Sequence, residues 1–264
     1  MPRVLVIAGS DSGGGAGIQA DIKTLNSIGV FGMTAITSLT AQNTKGVFEI
    51  FDLPASFIKK QIEVVIEDIG VDAIKIGMLS NKDIIEAVIE EIKRYGIENI
   101  ILDPVMKSQT GYDLIKEDAK KILMEKLLPL SLIVTPNRFE AEEISGLKIE
   151  NKKDIKEAIL KIKEKGAKWV LIKGGHFEGK YAIDYLSNGK NIYEIKAKRI
   201  NTNNTHGSGC TYASAIAGYI AKGFDILSAV KKAKRFVYGA IKNSLQIGKG
   251  KGPVNHFWKI KEGG

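Results

Sequence analysis

The sequence predicts an α/β fold, a three-layer α/β/α sandwich with a mostly parallel central sheet. Short runs of β-branched and apolar residues alternate with longer amphipathic stretches, and the short runs are apolar almost throughout. Strands that alternate with helices come to lie parallel, and a strand apolar on both sides needs helices above and below it. No low-complexity linker divides the 264 residues, so residues 1–264 are read as one domain.

Arg3 to Ala8 reads as the first strand. Residues 16–29 follow as a helix, because Ile18, Ile22, Leu25 and Ile28 recur at spacings of three and four. Met33 to Leu39 and Val47 to Leu53 are strands, the latter ended by Pro54. Residues 55–70 form a helix, Ala73 to Ile76 a strand, and 83–96 a helix stopped by Gly96. The alternation continues with a strand at 99–104, a helix from Glu117 to Leu128 and a strand at 131–136. Helices from Arg138 to Ser145 and Lys152 to Lys165 precede a strand at 168–174. Residues 180–200 break the pattern, since two strand-like runs flank Ser187-Asn188-Gly189, a hairpin turn signal. Two long helices, Cys210 to Lys222 and 225–248, close the chain.

Lys and Arg number 39 against 30 Asp and Glu, a net charge of +9, but the bases are scattered over amphipathic segments such as 151–166. A nucleic-acid binder would cluster them on one face, so the excess reads as solvated surface that attracts small anionic ligands. The single cysteine excludes an intramolecular disulfide and a cysteine-cluster zinc site, and fits a reducing cytoplasm. The apolar run Val4 to Ala8 is too short for a signal segment, and no stretch reaches the ~18 apolar residues of a membrane span.

Ligands of open α/β sheets bind beyond the carboxyl ends of the strands, and four places there carry chemistry. Residues 9–21, GSDSGGGAGIQAD, join the first strand to the first helix; their glycines suit close backbone approach to a ligand, or only a turn. Gly15, Gly17 and Ala20 fit a dinucleotide fingerprint, but the second strand leads to Gln42 and Asn43 with no ribose-binding acid, and no Gly-Lys-Ser/Thr marks a Walker loop. Asp103 ends an apolar strand, where a carboxylate suits Mg²⁺. Asn137 and Glu140 share one helix face, as a metal-site pair or as a capping box. Gly207-Ser208-Gly209-Cys210 opens a helix whose first N–H groups and dipole suit an anion, and the same field is expected to lower the Cys210 pKa unless the thiol merely packs beneath the turn. With Lys173-Gly174-Gly175, these parts describe phosphoryl transfer.

Eight stretches, in order, resemble the hydroxymethylpyrimidine/phosphomethylpyrimidine kinases of thiamine biosynthesis, in the ribokinase-like superfamily: AGSDSGGGAGIQAD at 8–21, TAQNTKGV at 40–47, KIGML at 75–79, LDPVM at 102–106, TPNRFEAE at 135–142, IKGGH at 172–176, NNTHGSGCT at 203–211 and GKGKGPVNHF at 248–257. The resemblance implies a ribokinase-like sandwich and two successive ATP-dependent phosphorylations, of 4-amino-5-hydroxymethyl-2-methylpyrimidine and then of its monophosphate. It implies that Gln42 holds the aminopyrimidine edge in a pocket shaped by Gly9, Ala16, Met78 and Val105, with Asp21 near the substrate hydroxyl. It further assigns Asp103 and Glu140 to Mg²⁺, Lys173, Asn137, Thr205 and His206 to ATP, and Gly207, Ser208, Gly209 and Cys210 to the catalytic anion hole. A cytoplasmic homodimer is expected, without nucleic-acid or membrane partners and with no fused thiamine-phosphate synthase region. Ser208 stands where the family usually has threonine and keeps the hydroxyl. Related cysteine-type enzymes phosphorylate pyridoxal, which is the competing substrate; a nicotinamide oxidoreductase and a non-catalytic vitamin binder are the other readings.

Overall fold

The computed structural model describes residues 1–177 and 179–259. Nine strands form one sheet in the order β3-β2-β1-β4-β5-β6-β7-β8-β9. They are β1 (Arg3–Asp11), β2 (Phe31–Asn43), β3 (Gly46–Asp52), β4 (Ala73–Ile76), β5 (Ile100–Leu102), β6 (Ile133–Val134), β7 (Trp169–Ile172), β8 (Tyr181–Ser187) and β9 (Ile192–Lys198). β2, β1, β4, β5, β6 and β7 pair in parallel, whereas β3, β8 and β9 join antiparallel. The expected architecture is therefore present, with an antiparallel hairpin at each edge.

Successive residues of β1 face opposite layers. Leu5 and Ile7 pack into a core shared with α2 (Ala55–Asp68), α3 (Lys82–Arg94), α5 (Arg138–Ser145) and α6 (Lys152–Glu164). Val4, Val6 and Ala8 pack into a second core built with α1 (Gly17–Ser27), α7 (Ser208–Ala221) and α8 (Ile226–Lys242). Val4 through Ile7 are fully buried, each side chain contributing roughly 1.5–3 kcal/mol, which is why near-continuous apolar strands identify this fold.

Several expected elements differ, among them β2, which runs over Phe31–Asn43 rather than Met33 to Leu39. The helix starting at Glu117 keeps regular turns only to Ile122 as α4 (Glu117–Ile122); a wider turn over Leu123–Leu127 and a tight one at Leu128–Leu130 follow, because Pro129 cannot continue the ladder. The last helix stops at Lys242 rather than at 248: Asn243 caps it by donating its side-chain amide to Gly239 O, and the glycine-rich chain beyond runs back to Thr44 and His206. β1 is longer than expected, since after a register shift Ser10 and Asp11 pair with Leu39 and Thr40. Among the described residues no helix is long and apolar enough to cross a membrane.

Candidate active site

Parallel strands deliver their carboxyl ends to one edge, and the N-terminus of α7 points to the same edge. Asp103, just past β5, is 1% exposed; its Oδ1 accepts from Lys173 Nζ at 2.8 Å and from Thr135 Oγ1 at 3.2 Å. Lys173 follows β7 and also lies 3.9 Å from Glu140 Oε2. Burial works against the Lys173 ammonium, but Asp103 and Glu140 outweigh it and its pKa is raised. Burial pushes the Glu140 carboxyl up to about 7; Lys173 opposes that shift and Asp103 adds to it. Asn137 and Glu140 form the capping box, Asn137 Oδ1 accepting from Glu140 N at 3.0 Å and Glu140 Oε2 from Asn137 N at 2.7 Å. Capping thus occupies Asn137 and places Glu140 beside Lys173.

Asp184 of β8 sets the turn that carries Lys173. Its Oδ1 accepts from Gly174 N at 2.8 Å, while Oδ2 takes Tyr212 of α7 at 2.8 Å and Lys234 of α8 at 2.7 Å. A Cβ at position 174 would lie 1.9 Å from Ile183 O, so the turn admits only glycine.

Gly207 caps α7 with φ +78°, and a Cβ there would meet Gly15 O at 1.8 Å; the glycine loop and the helix end interlock. Ser208 N donates to Thr205 O at 3.1 Å, leaving the Gly209 and Cys210 N–H groups without an acceptor among the described residues. Gly209 faces the charged cluster, since a Cβ there would sit 3.6 Å from Lys173 Nζ and 3.8 Å from Asp103 Oδ2. Cys210 corrects the expectation of a lowered pKa: burial pushes its thiol up to about 11, although Lys75 and the Gly17 N–H pull the other way. Desolvation by the surrounding side chains outweighs the helix-end field, although Cys210 itself is only partly buried.

On the glycine-loop side, Asp11 accepts from the Gly13, Gly15 and Ala16 N–H groups at 2.8, 3.0 and 2.8 Å. Burial opposes its ionisation, but His206 and these amides prevail and its pKa is lowered. His206 Nε2 lies 3.0 Å from Asp11 Oδ2 and 3.4 Å from Gln42 Nε2, so its ring faces the glycine loop rather than the Lys173 cluster. Thr205 Oγ1 accepts from Gln109 at 2.6 Å. Met78 and Val105 meet in a small apolar cluster with Val47, Ile50 and Leu114, and Gly9 abuts it, a Cβ there lying 3.1 Å from Met78 Sδ. Asp21, expected near the substrate hydroxyl, is sealed at 0% exposure and held by Lys75 and Ser214. Sequence reasoning missed Asp11, Lys75 and Asp184; a lysine within the apolar run Ala73–Met78 was the one visible signal.

A cavity of about 630 Å³ lies between β9 and α8, lined by Lys196, Lys198, Lys234, Arg235, Tyr238 and Trp258 among others. Lys234 connects it through Asp184 to the Gly174 turn.

The family of phosphomethylpyrimidine kinases matches residues 11–255. A hydroxymethylpyrimidine/phosphomethylpyrimidine kinase of Bacillus subtilis is 46% identical, covering 97% of this chain and 94% of its own. The crystal structure of a phosphomethylpyrimidine kinase from Clostridium difficile superposes with a TM-score of 0.82 at 47% identity, over 92% of this chain and all of that one. A Bacillus subtilis pyridoxal kinase solved as an ADP complex superposes at 0.91 with 38% identity, over 98% of each chain.

Proposed function

This chain belongs to the phosphomethylpyrimidine kinase family, and from that premise we propose how its site works as an ATP-dependent kinase. The substrates are 4-amino-5-hydroxymethyl-2-methylpyrimidine and then its monophosphate, on the way to thiamine. The observation that carries the site assignment is the convergence of Asp103, Lys173 and Glu140 on the first turn of α7.

The pyrimidine sits against Met78, Val105 and Gly9, with Gln42 on its amino edge and Ala16 beside it. Gln42 Oε1 already accepts from Thr40 Oγ1 at 3.2 Å, which holds the amide in place. The hydroxymethyl group then faces Cys210. With its pKa near 11 the thiol is neutral at pH 7, so Cys210 orients the alcohol rather than stripping its proton. That suffices for a loose transition state, in which the alcohol loses its proton late, to a transferred phosphoryl oxygen or to water, as ADP departs. The Gly209 and Cys210 N–H groups and Lys173 receive the charge that spreads over the transferring phosphoryl oxygens.

Two carboxylates beside one lysine leave surplus negative charge, and among the described residues no group of three or more His, Cys, Asp or Glu could hold a metal alone. That set fits Mg²⁺, which binds through one or two carboxylates plus substrate phosphates; Asp103 and Glu140 would hold it, and it would neutralise phosphate charge. The basic cavity beside β9 would take the nucleotide, its base against Tyr238 and its phosphates leading past Lys234 to Lys173. We also propose a single-domain, cytoplasmic homodimer. Its face is edge strand β3 and the start of α2, where Phe48, Phe51 and Phe57 are 65%, 64% and 55% exposed.

A coupled ADP-release assay with Mg²⁺ compares the aminopyrimidine alcohol, its monophosphate and pyridoxal. Turnover of both pyrimidines with metal dependence is the expected outcome; preference for pyridoxal would overturn the substrate assignment.

A further inference from the structure

Lys75 and Asp21 form an ion pair that the mechanism above leaves idle. Both are fully enclosed, Lys75 Nζ lying 2.8 and 3.0 Å from the two carboxylate oxygens. Burying two charges costs desolvation that their attraction barely offsets, and apolar residues of similar volume are often as stable. Stability alone gives no reason for the pair.

Its placement does. Lys75 rises from β4 toward the site edge, close enough to Gly77 that a Cβ there would come within 2.8 Å of Nζ. Asp21 belongs to α1 and accepts from Ser214 Oγ at 2.6 Å, and Ser214 stands one turn after Cys210 on α7. One buried pair therefore ties α1, β4 and α7 together beneath the anion-hole turn. The pair is neutral but oriented. Among the charges acting on Cys210, Lys75 is the strongest and draws its pKa down, whereas Asp21 and then Asp103 act more weakly in the opposite sense. Lys173, which follows β7, also feels the thiol, and from α1 the Gly17 N–H meets the sulfur. Of the two charges of the pair, Lys75 thus acts more strongly on the thiol at the first turn of α7.

We propose that Lys75 is a positioning residue of the transfer site, its ammonium anchored by Asp21 so that the first turns of α7 and the Cys210 side chain are held in a fixed positive field. The proposal rests on the kinase reading above. A site whose donors are fixed in advance stabilises transferring charge without reorganising at the moment of reaction.

Cys210 is the sole cysteine of the chain, so the pH dependence of its alkylation by iodoacetamide reports the local field directly and needs no turnover. Asp21→Asn, which keeps the volume and removes the opposing charge, moves the alkylation midpoint to lower pH. The double variant Lys75→Met with Asp21→Leu, which replaces the pair by apolar side chains, moves it to higher pH. The double variant also lowers kcat on the aminopyrimidine alcohol by roughly tenfold or more while both KM values stay within about twofold. A purely structural role predicts no opposed shifts. Midpoints that stay put or move together, or a double variant with wild-type kcat, would overturn the proposal; should the double variant fail to fold, Asp21→Asn alone decides. Absence of wild-type turnover on either pyrimidine, seen in the same assays, would count against the kinase reading instead.

Discussion

Two lysine–aspartate pairs lie against the first turns of α7, one near Gly209 and the other at Ser214, and both close at 2.8 Å. Lys75–Asp21 is sealed, one charge against one, with Ser214 as the third member. Lys173–Asp103 is more open, its lysine side chain 14% exposed, and Glu140 adds a second carboxylate 3.9 Å away. The sealed pair has nothing left to offer a ligand and can only hold and orient. The open cluster carries a surplus negative charge that a cation would neutralise, and it adjoins two uncapped N–H groups. Identical chemistry at identical distance is thus turned to support in one place and to reaction in the other by stoichiometry and access.

The sharpest way to break this contrast is to make the same substitution in both. Asp103→Asn removes charge from the open cluster and is expected to cut kcat by roughly 10²–10³-fold, while circular dichroism melts show a smaller loss. Asp21→Asn is expected to do the reverse, lowering stability by about 3–5 kcal/mol for an orphaned buried charge with substrate and ATP affinities kept. Equal effects of the two on turnover would erase the distinction.

Cys210 feels charges from both clusters and sharpens the comparison. As an orienting group it makes Cys210→Ser slower by about tenfold to a hundredfold, since a small misplacement of the alcohol is costly. Near-wild-type turnover in that variant would mean the N–H groups and Lys173 suffice without it. Cys210→Asp tests whether a carboxylate serves at the same position.

The fold was legible because it is written in periodicities. Apolar strands such as Val4–Ile7 and three-and-four spacing in α1 depend on local sequence, and both survived folding. The end of α8 was not, because Lys242 to Gly248 has no breaker before the glycines; the stop comes from the Asn243 cap and from the long-range bonds of the segment to Thr44 and His206. At the site, Asp103, Lys173 and Gly207–Cys210 were legible as residues that follow strands or open a helix. The sealing of Asp21 was not, since its partner Lys75 is 54 residues away on β4. The direction of the Cys210 shift was misread for a related reason: the helix-end field is visible in the motif, but burial is contributed by the rest of the molecule.

The smallest effect concerns Glu140, and it separates the open cluster from the sealed pair by pH. Its carboxyl is raised from an ordinary 4.5 to about 7 by burial, so between those values the folded protein binds a proton that the unfolded chain has released. The stability it contributes is complete below about 4.5 and is lost as pH rises through about 7. Without Mg²⁺, the thermal midpoint is therefore expected to decline by a few degrees across that window, and the difference between wild type and Glu140→Gln isolates this group from the other carboxyls. Mg²⁺ requires the ionised form, so the metal concentration for half-maximal activity is expected to fall as pH rises from 6 to 8, by up to roughly tenfold per pH unit below the pKa, and to be flat in Glu140→Gln. A Glu140→Gln protein that kept both dependences would remove Glu140 from the cation site and leave the surplus charge of the open cluster without a use.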